Sequence, residues 1–337
     1  MKTANYVVIA LVIMAILVYG CKTSEKDIVE GAAAENETIS ENSSDDINKL
    51  IVKEDNETAE SNSSNEDNLT TDTLVMEEDE ENPGDLIVHF IDVGHGDSIF
   101  VQTPNNGTML IDGGFDDKGS VVIGYLRSQG ISSFLDVMVA THPDRENVGG
   151  LDSVLFNLAS VAESYDNGYG ANSQSYQAFV EFSKAKGMFN VVTQDTEINL
   201  DGNKTKIQVI VPYVDGYLNS SDDNSLVIKI TYGDISYLLT GDCGFECEKK
   251  IMGHDIRADV LKVAHNGANS STSQEFLDEV KPRLAIISTG AHNEYGYPHA
   301  EVLQRLMDNN IEVLRTDYNG TIVVKTDGEG LTVRVSK

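Results

Sequence analysis

The pattern of apolar and polar positions divides the chain into three regions. A short apolar run, Tyr6 to Tyr19, follows Lys2. Residues 22–85 then show no apolar periodicity and no aromatic residue, whereas residues 86–337 carry repeated short apolar runs typical of buried strands. We therefore expect one folded domain, residues 86–337, preceded by two segments that add nothing to its core.

Eleven apolar runs in the third region predict strands, and helical spacing of apolar residues predicts five helices. The strands are expected at residues 86–92, 98–103, 108–112, 137–140, 207–211, 225–231, 235–240, 260–263, 285–288, 320–325 and 331–335. The helices are expected near residues 121–129, 150–158, 176–186, 273–280 and 300–308. Residues 164–175, rich in Gly, Asn, Tyr and Ser, predict a loop. Strands with interspersed helices favour two sheets packed face to face with helices outside.

The first apolar run ends at Gly20 and Cys21 and predicts a signal peptide, residues 1–21, with a lipoprotein-type cleavage site. The run is short for a membrane span. Cys21 is then the lipid anchor, and the protein is a membrane-anchored lipoprotein on the cell surface or elsewhere outside the cytoplasm. The alternative is an uncleaved N-terminal anchor, which gives the body the same location.

Charge sets the middle segment apart. Residues 22–85 hold 21 acidic residues against four lysines, more than half of the chain's net charge of −31. This composition predicts an extended, self-repelling tether. The folded domain is also acidic, and its basic residues, Lys262 among them, form no block. Nucleic-acid binders gain most of their affinity from such blocks, so tight DNA binding is disfavoured, although nucleic acid remains a candidate substrate.

Cys243 and Cys247 are the only cysteines after Cys21. Their spacing beside Asp242 predicts one face of a short helix that begins near Phe245. A pair of partly buried thiols is favoured over a metal site, because tetrahedral cysteine sites normally draw on two such pairs. A disulfide between them remains an alternative, although it is geometrically awkward within one helical turn.

The loop after the predicted strand 137–140 concentrates metal-binding residue types. His142, Asp144, Glu146 and Asn147 follow one another within six positions. Pro143 delays the start of a helix, and Val148-Gly-Gly-Leu151 marks the turn into the next one. These side chains therefore share one tight loop at a strand end.

This loop resembles the metallo-β-lactamase superfamily signature His-x-His-x-Asp-His followed by an apolar residue and Gly-Gly, and more narrowly the ComEC-type competence proteins, whose second ligand position is often Asp. The resemblance covers roughly residues 86–335. Besides the loop, it rests on six segments in matching order: Phe90-Ile-Asp-Val-Gly-His-Gly-Asp-Ser98, Leu110-Ile-Asp-Gly-Gly114, Asp223-Asn-Ser-Leu-Val227, Leu238-Leu-Thr-Gly-Asp242, Val260-Leu-Lys-Val-Ala-His-Asn-Gly267 and Asn293-Glu-Tyr-Gly-Tyr-Pro-His299.

The resemblance implies an α/β fold, the αβ/βα four-layer sandwich, with a two-metal hydrolase site. Carried over position by position, His142 and Asp144 bind the first metal, Asp242 bridges, and His265 completes the shell. The implied ion is Zn²⁺ or Mn²⁺. Asp144 and Glu146 are also the implied catalytic carboxylates.

Four ligand positions depart from the family pattern. Glu146 replaces Asp, and Asn147, Asn266 and Tyr297 each replace His. The extra methylene of Glu moves its carboxylate about 1.5 Å outward where catalytic geometry tolerates about 0.5 Å, and a neutral amide is a poor zinc ligand. We therefore expect at most one tightly bound metal.

The remaining candidates are predicted to line the cleft with the altered positions. His95 lies in a glycine-flanked turn and is expected at the cleft mouth without ligating. Asn224 lies where the wider superfamily has another His, and His299 either leans into the cleft or stays on the surface at a helix start. Asp92 and Asp112 end strands and either support the site or are ordinary turn carboxylates.

Two functions compete. The first is a lipid-anchored extracytoplasmic hydrolase, nuclease-like or acting on another ester, with Glu146 as orienting base. The second is a binding or scaffold module that has lost catalysis and serves as an envelope component or a partner of a DNA-uptake channel. The retained ligands favour the first and the altered ones the second. The sequence predicts neither the substrate nor the oligomeric state.

Overall fold

The computed structural model describes residues 84–337. The predicted signal peptide with Cys21, and the predicted tether up to residue 83, lie outside the described residues. Within the described part, no helix combines the length and apolar character needed to cross a membrane.

The described residues form fifteen strands, eight α-helices and three short 3₁₀ turns. The strands are β1 (Leu86–Phe90), β2 (Ile99–Gln102), β3 (Thr108–Ile111), β4 (Phe134–Ala140), β5 (Ser160–Asp166), β6 (Met188–Val191), β7 (Thr196–Ile198), β8 (Lys206–Ile210), β9 (Val227–Tyr232), β10 (Ile235–Leu239), β11 (Val260–Lys262), β12 (Leu284–Ile287), β13 (Glu312–Arg315), β14 (Ile322–Thr326) and β15 (Thr332–Val335). The helices are α1 (Gly119–Ser128), α2 (Arg145–Val148), α3 (Leu151–Asn157), α4 (Gln174–Lys186), α5 (Phe245–Ile251), α6 (Gln274–Val280), α7 (Ala300–Asp308) and α8 (Thr316–Asn319). The 3₁₀ turns are Asp116–Lys118, Asp222–Asn224 and Ala264–Gly267.

These strands form two mixed sheets. The first has the order β15-β14-β1-β2-β3-β4-β5-β6 and is parallel from β3 to β6. The second has the order β13-β12-β11-β10-β9-β8-β7 and is parallel from β10 to β13. In both sheets the parallel strands adjoin an antiparallel meander, so the carboxyl ends of several strands meet at one edge.

Strand periodicity explains how the sheets pack. Side chains of a strand alternate between its two faces, and in β10 Tyr237 and Leu239 join the core between the sheets while Leu238 joins an outer core. In β2, Val101 likewise faces the inner core and Phe100 the outer one. Helices α1, α3 and α4 cover the first sheet, and α5, α6 and α7 cover the second. The result is the predicted four-layer sandwich of two sheets between helices.

All eleven predicted strands and all five predicted helices are present, with ends shifted by at most three residues. Four strands escaped prediction: β5, β6, β7 and β13. Three of them are sheet edges, and the exposed or half-exposed side chains of β6 show why they lack an apolar run. The loop predicted at residues 164–175 is shorter, because β5 runs through Asp166 and α4 starts at Gln174.

The prediction of two free thiols was wrong. Cys243 and Cys247 form a disulfide, and both residues are fully buried. Cys243 precedes the first residue of α5, Phe245, so the pair does not share a helical turn. Their Cα atoms lie 5.3 Å apart, within the usual range for disulfides.

Candidate metal centre

Two neighbouring parallel strands, β3 and β4, position the first ligand. Asp112 follows β3, and Thr141 and His142 follow β4. The backbone N–H and hydroxyl of Thr141 donate to the two carboxylate oxygens of Asp112, at 2.9 and 2.7 Å. Since the hydroxyl proton points to Asp112, the Thr141 oxygen accepts from Nδ1 of His142 at 3.1 Å. This fixes the tautomer of a neutral His142 with Nε2 free, as a metal ligand requires.

A first ligand group surrounds that nitrogen. Ligand atoms of His142, Asp144 and Asp222 all lie within 4.8 Å of one another. His142 is fully buried, and its Nε2 has no hydrogen-bond partner among the described residues. Asp144 is the residue before α2 and accepts a 2.7 Å hydrogen bond from Ser221. Asp222 begins a 3₁₀ turn.

A second group adjoins the first. Ligand atoms of Glu146, Asp242 and His265 also lie within 4.8 Å of one another. Asp242 follows β10 and is buried, and its backbone N–H donates to the Ser225 hydroxyl at 3.1 Å. His265 adopts a left-handed conformation with φ of 50°, and its N–H donates to the carbonyl of Gly241 at 3.1 Å. The turn that carries His265 is thereby tied to the loop that carries Asp242.

Asp242 lies between the two groups. Its Oδ2 is 3.4 Å from Nε2 of His142, and its Oδ1 is buried without a partner in the described structure. Burial disfavours ionisation of Asp242, but His142 and His265 outweigh it and hold the pKa of the carboxyl well below its ordinary value. Asp242 is therefore an anion placed where one carboxylate can serve both groups.

The neighbouring charges raise the pKa of His142, whereas they lower the pKa of Asp242. Burial disfavours the protonated ring, yet Asp242, Asp112 and Asp144 together raise the pKa of His142 to about 10. Burial and nearby Asp242 also raise the pKa of Asp222. An excess of carboxylates around one buried imidazole is the electrostatic pattern that a cation neutralises.

The donor set fits a divalent metal. Imidazole and carboxylate are the ligands that zinc and manganese take, and Nε2 of His142 and Oδ1 of Asp242 are buried without a hydrogen-bond partner among the described residues. Unpaired buried polar atoms are costly unless something satisfies them. The sequence-based expectation of at most one metal left out Asp222, which belongs to a complete group of its own.

Two predicted positions are tied into the scaffold. The amide nitrogen of Asn147 donates to Asp112 at 3.2 Å, and that of Asn266 donates to the carbonyl of Ser288 at 2.7 Å. Both residues are buried, and each side-chain oxygen lacks a partner within the described part of the chain.

Aromatic rings line one side of the centre. The ring of Tyr297 lies 5.5 Å from His265 and 5.9 Å from His95, and Tyr295 stacks on Tyr297 at 5.4 Å. His95 is thus placed at the centre beside Glu146, whose Oε2 lies 3.5 Å from its Nε2. His95 and Tyr297, both predicted to line the cleft, lie next to each other, and Tyr297 also contacts His265.

His299 and Asn224 serve local structure. His299 precedes α7, as predicted, and its Nδ1 accepts a 3.0 Å hydrogen bond from the backbone of Asn269. Asn224 was predicted to contact the cleft, but its side chain hydrogen-bonds to the backbone of Leu218 and Ser220 in its own loop. The prediction for Asn224 needs correction because a fully buried amide with these partners has nothing left to offer a substrate.

Sequence-based prediction missed the roles of two residues, Asp222 and Lys262. Asp222 stands two residues before Asn224, where the superfamily has a ligand, and that proximity was the available signal. Lys262 was counted only among the dispersed basic residues, but it is fully buried, pairs with Asp97, and donates to the carbonyl of Gly241 at 3.0 Å. The paired Lys262 and Asp97 brace the loop before Asp242. Of the two strand-end carboxylates, Asp112 supports the site.

Curated relatives share this domain. ComE operon protein 3 of Bacillus subtilis is 33% identical over 254 residues, which cover 70% of this chain and 32% of that protein. The chain belongs to the ComEC-type proteins of the metallo-β-lactamase superfamily, and its described residues are called the ComEC-type domain below. Competence protein ComA of Neisseria gonorrhoeae is 26% identical over 238 residues, 68% of this chain and 31% of that protein.

The chain spans about a third of the length of these curated relatives. No family model matches it. Among solved structures, a diphosphatase from the PhnP family aligns with the ComEC-type domain at a TM-score of 0.43 and 16% identity, covering 72% of this chain and 98% of that one. A likeness this distant adds nothing to the assignment.

Proposed function

We propose that the ComEC-type domain is a metal-dependent hydrolase of a phosphodiester or related ester. The observation that carries the proposal is the meeting of two ligand groups at Asp242, each with one imidazole and two carboxylates. Two divalent ions held close together activate a water and stabilise the leaving oxygen.

The residues of the chain have distinct tasks in this proposal. His142, held by Thr141, would bind the first ion through Nε2. Asp242, whose pKa is held low, would be an anionic ligand within reach of both ions. Glu146 is partly exposed on the cleft side, with 18% of its side chain accessible, and together with Asp144 orients the attacking water and takes its proton.

Substrate class follows from the relatives only in part. The name of the gonococcal relative refers to competence, which favours nucleic acid as substrate and a DNA-uptake or envelope component as partner. Against tight binding, Lys262 is buried and cannot contact a phosphate. We therefore propose cleavage without high-affinity retention of the strand.

The proposed location is the outer face of the cytoplasmic membrane or the cell surface, through a lipid on Cys21. The N-terminal sequence favours it. The buried Cys243–Cys247 disulfide adds independent support, because disulfides persist mainly in oxidising compartments.

The test is hydrolysis of bis(p-nitrophenyl) phosphate by the full chain loaded with Zn²⁺ or Mn²⁺. Asp242→Asn should lower kcat/KM at least about 100-fold, since the metals supply several kcal/mol of transition-state stabilisation. His254→Asn is the matched control, because the partners of His254 are Asp195 and Ile251, outside both groups. A metal-loaded wild type without activity would favour the binding module.

A further inference from the structure

We propose that the Cys243–Cys247 disulfide positions the metal ligands, so that both ligand groups bind metal tightly only when the two cysteines are joined. This inference rests on the proposed metal-dependent function. It concerns the affinity of the centre for metal and not the hydrolytic step, so the two can be tested separately.

The disulfide begins at the residue after Asp242, the carboxylate that lies between the two ligand groups. The N–H of Cys243 donates to the carbonyl of Thr240 at 3.0 Å, which closes a tight turn with Gly241 and Asp242 at its centre. Both cysteines are fully buried in the outer core of the second sheet. The bond therefore ties the end of this turn to the core and restricts rotation of the backbone at Asp242.

The same bond reaches the first ligand group through Asp223. Cys247 lies in the first turn of α5, and its N–H donates to Oδ1 of Asp223 at 3.3 Å. A Cβ at Gly244 would come within 2.7 Å of that oxygen, so the backbone between the two cysteines lies directly against Asp223. Asp223 follows Asp222 in the same 3₁₀ turn, and Ser220 donates to its other oxygen at 2.7 Å. The position of Asp222 therefore depends on the start of α5.

A third connection leads from the start of α5 to His265. The N–H of Phe245 donates to the carbonyl of Ser270 at 3.0 Å. The next residue, Ser271, is buried, and its hydroxyl donates to the carbonyl of Ala264 at 3.0 Å. Ala264 begins the 3₁₀ turn that carries His265. The segment that follows the disulfide turn thus also supports the imidazole of the second group.

The start of α5 therefore supports three turns that carry ligands, those of Asp222, Asp242 and His265, and the disulfide ties the Asp242 turn to α5 by a covalent bond. A ligand set must be held to within about 0.5 Å to bind well. Reduction by a dithiol breaks the S–S bond, converts the dithiol to its own disulfide and leaves two protonated thiols. The turn at Asp242 then regains its freedom, and the affinity for metal falls in both groups.

Calorimetric titration of the metal-free full chain with Zn²⁺ tests the proposal. The double variant Cys243→Ala, Cys247→Ala should weaken each equivalent that the wild type binds at least about tenfold, as for other partners that orient a ligand. Ile251→Val is the matched control, because Ile251 is buried in the same core and its loss of one methyl group lowers stability without breaking the bond. This control should bind Zn²⁺ as the wild type does.

If the double variant does not fold by circular dichroism, the wild type is reduced with a dithiol and desalted before titration. The same loss of affinity is expected, and reoxidation should restore the wild-type value. Wild-type affinity in the folded protein without the disulfide would overturn the proposal, as would equal weakening in Ile251→Val. If affinity depends on the disulfide but the metal-loaded wild type does not hydrolyse phosphodiesters, the positioning role stands and the proposed activity falls.

Discussion

The two halves of the metal centre differ in how they are supported. His142 follows a central strand, is fully buried, and is held through Thr141 by Asp112 at the end of the adjacent strand. Glu146 lies on a four-residue helix at the cleft and is partly exposed. A ligand fixed by two neighbouring strand ends has little freedom to change, whereas a ligand on a short, partly exposed helix can be exchanged if another side chain takes its place.

The two asparagines at ligand positions, Asn147 and Asn266, also show which parts of the centre have changed. Asn147 and Asn266 stand where the family has imidazoles, and each has become part of the scaffold through its nitrogen. Glu146, Asn266 and Tyr297 lie in or beside the Glu146 half, whereas Asn147 is hydrogen-bonded to Asp112 of the other half. The loss of signature residues around Glu146 has therefore left the geometry around His142 in place.

The largest expected effect is that of Asp112→Asn, which should weaken metal binding in the His142 half and not in the Glu146 half. Asp112→Asn places a donor where Thr141 and Asn147 also donate, so the orientation of His142 is lost. We expect affinity for the first equivalent of metal to fall about 10–100-fold, as for other partners that orient a ligand, with the second equivalent nearly unchanged. Competition with a chromophoric chelator measures both constants.

Asp92→Asn is the control for this variant, because Asp92 also ends a strand but accepts from the Gly94 N–H and pairs with Lys337. It should leave both constants unchanged. Equal weakening of both equivalents in Asp112→Asn would show that the halves are one unit.

A second difference appears on titration. In the metal-free protein, nearby carboxylates raise the pKa of His142 to about 10 despite burial, so a proton occupies Nε2 at neutral pH and the metal must displace it. Affinity for the metal at His142 should therefore increase about tenfold for each pH unit from 6 to 9 and level off above 10. Calorimetry in buffers of different ionisation enthalpy should give about one proton released as this group fills. No proton release at pH 7 would contradict the assignment.

The smallest effect is expected from restoring the family pattern. The quadruple variant Glu146→Asp, Asn147→His, Asn266→His and Tyr297→His should tighten the second equivalent by about tenfold, or about 1.4 kcal/mol, and raise phosphodiesterase activity. No single reversion should suffice, since a metal is held only when its shell is nearly complete. Two lost amide hydrogen bonds should cost about 1 kcal/mol of stability each. A folded variant that binds no more metal than the parent would mean that the cleft is remodelled beyond its ligands.

Prediction from sequence was strongest where burial is two-sided. Central strands such as β4 and β10 carry continuous or alternating apolar residues, and their ends place His142 and Asp242 correctly. It failed at β6, β7 and β13, which lie at sheet edges and expose part of their side chains, and at β5, an inner strand in which buried and partly exposed residues alternate without an apolar run. An edge strand is stabilised by pairing with one neighbour, and its own sequence records little of that.

Local periodicity in the sequence predicted the strands, the helices and the loop that bears His142, Asp144 and Glu146, and the resemblance in motif order implied the four-layer fold and the altered ligand positions. Only the tertiary structure decided that Asp222 completes the first group, that His95 faces Glu146, and that Lys262 is buried. Those contacts join loops far apart in the chain, and their geometry depends on how two sheets bring their strand ends together. No local sequence pattern predicts the distances between these loops.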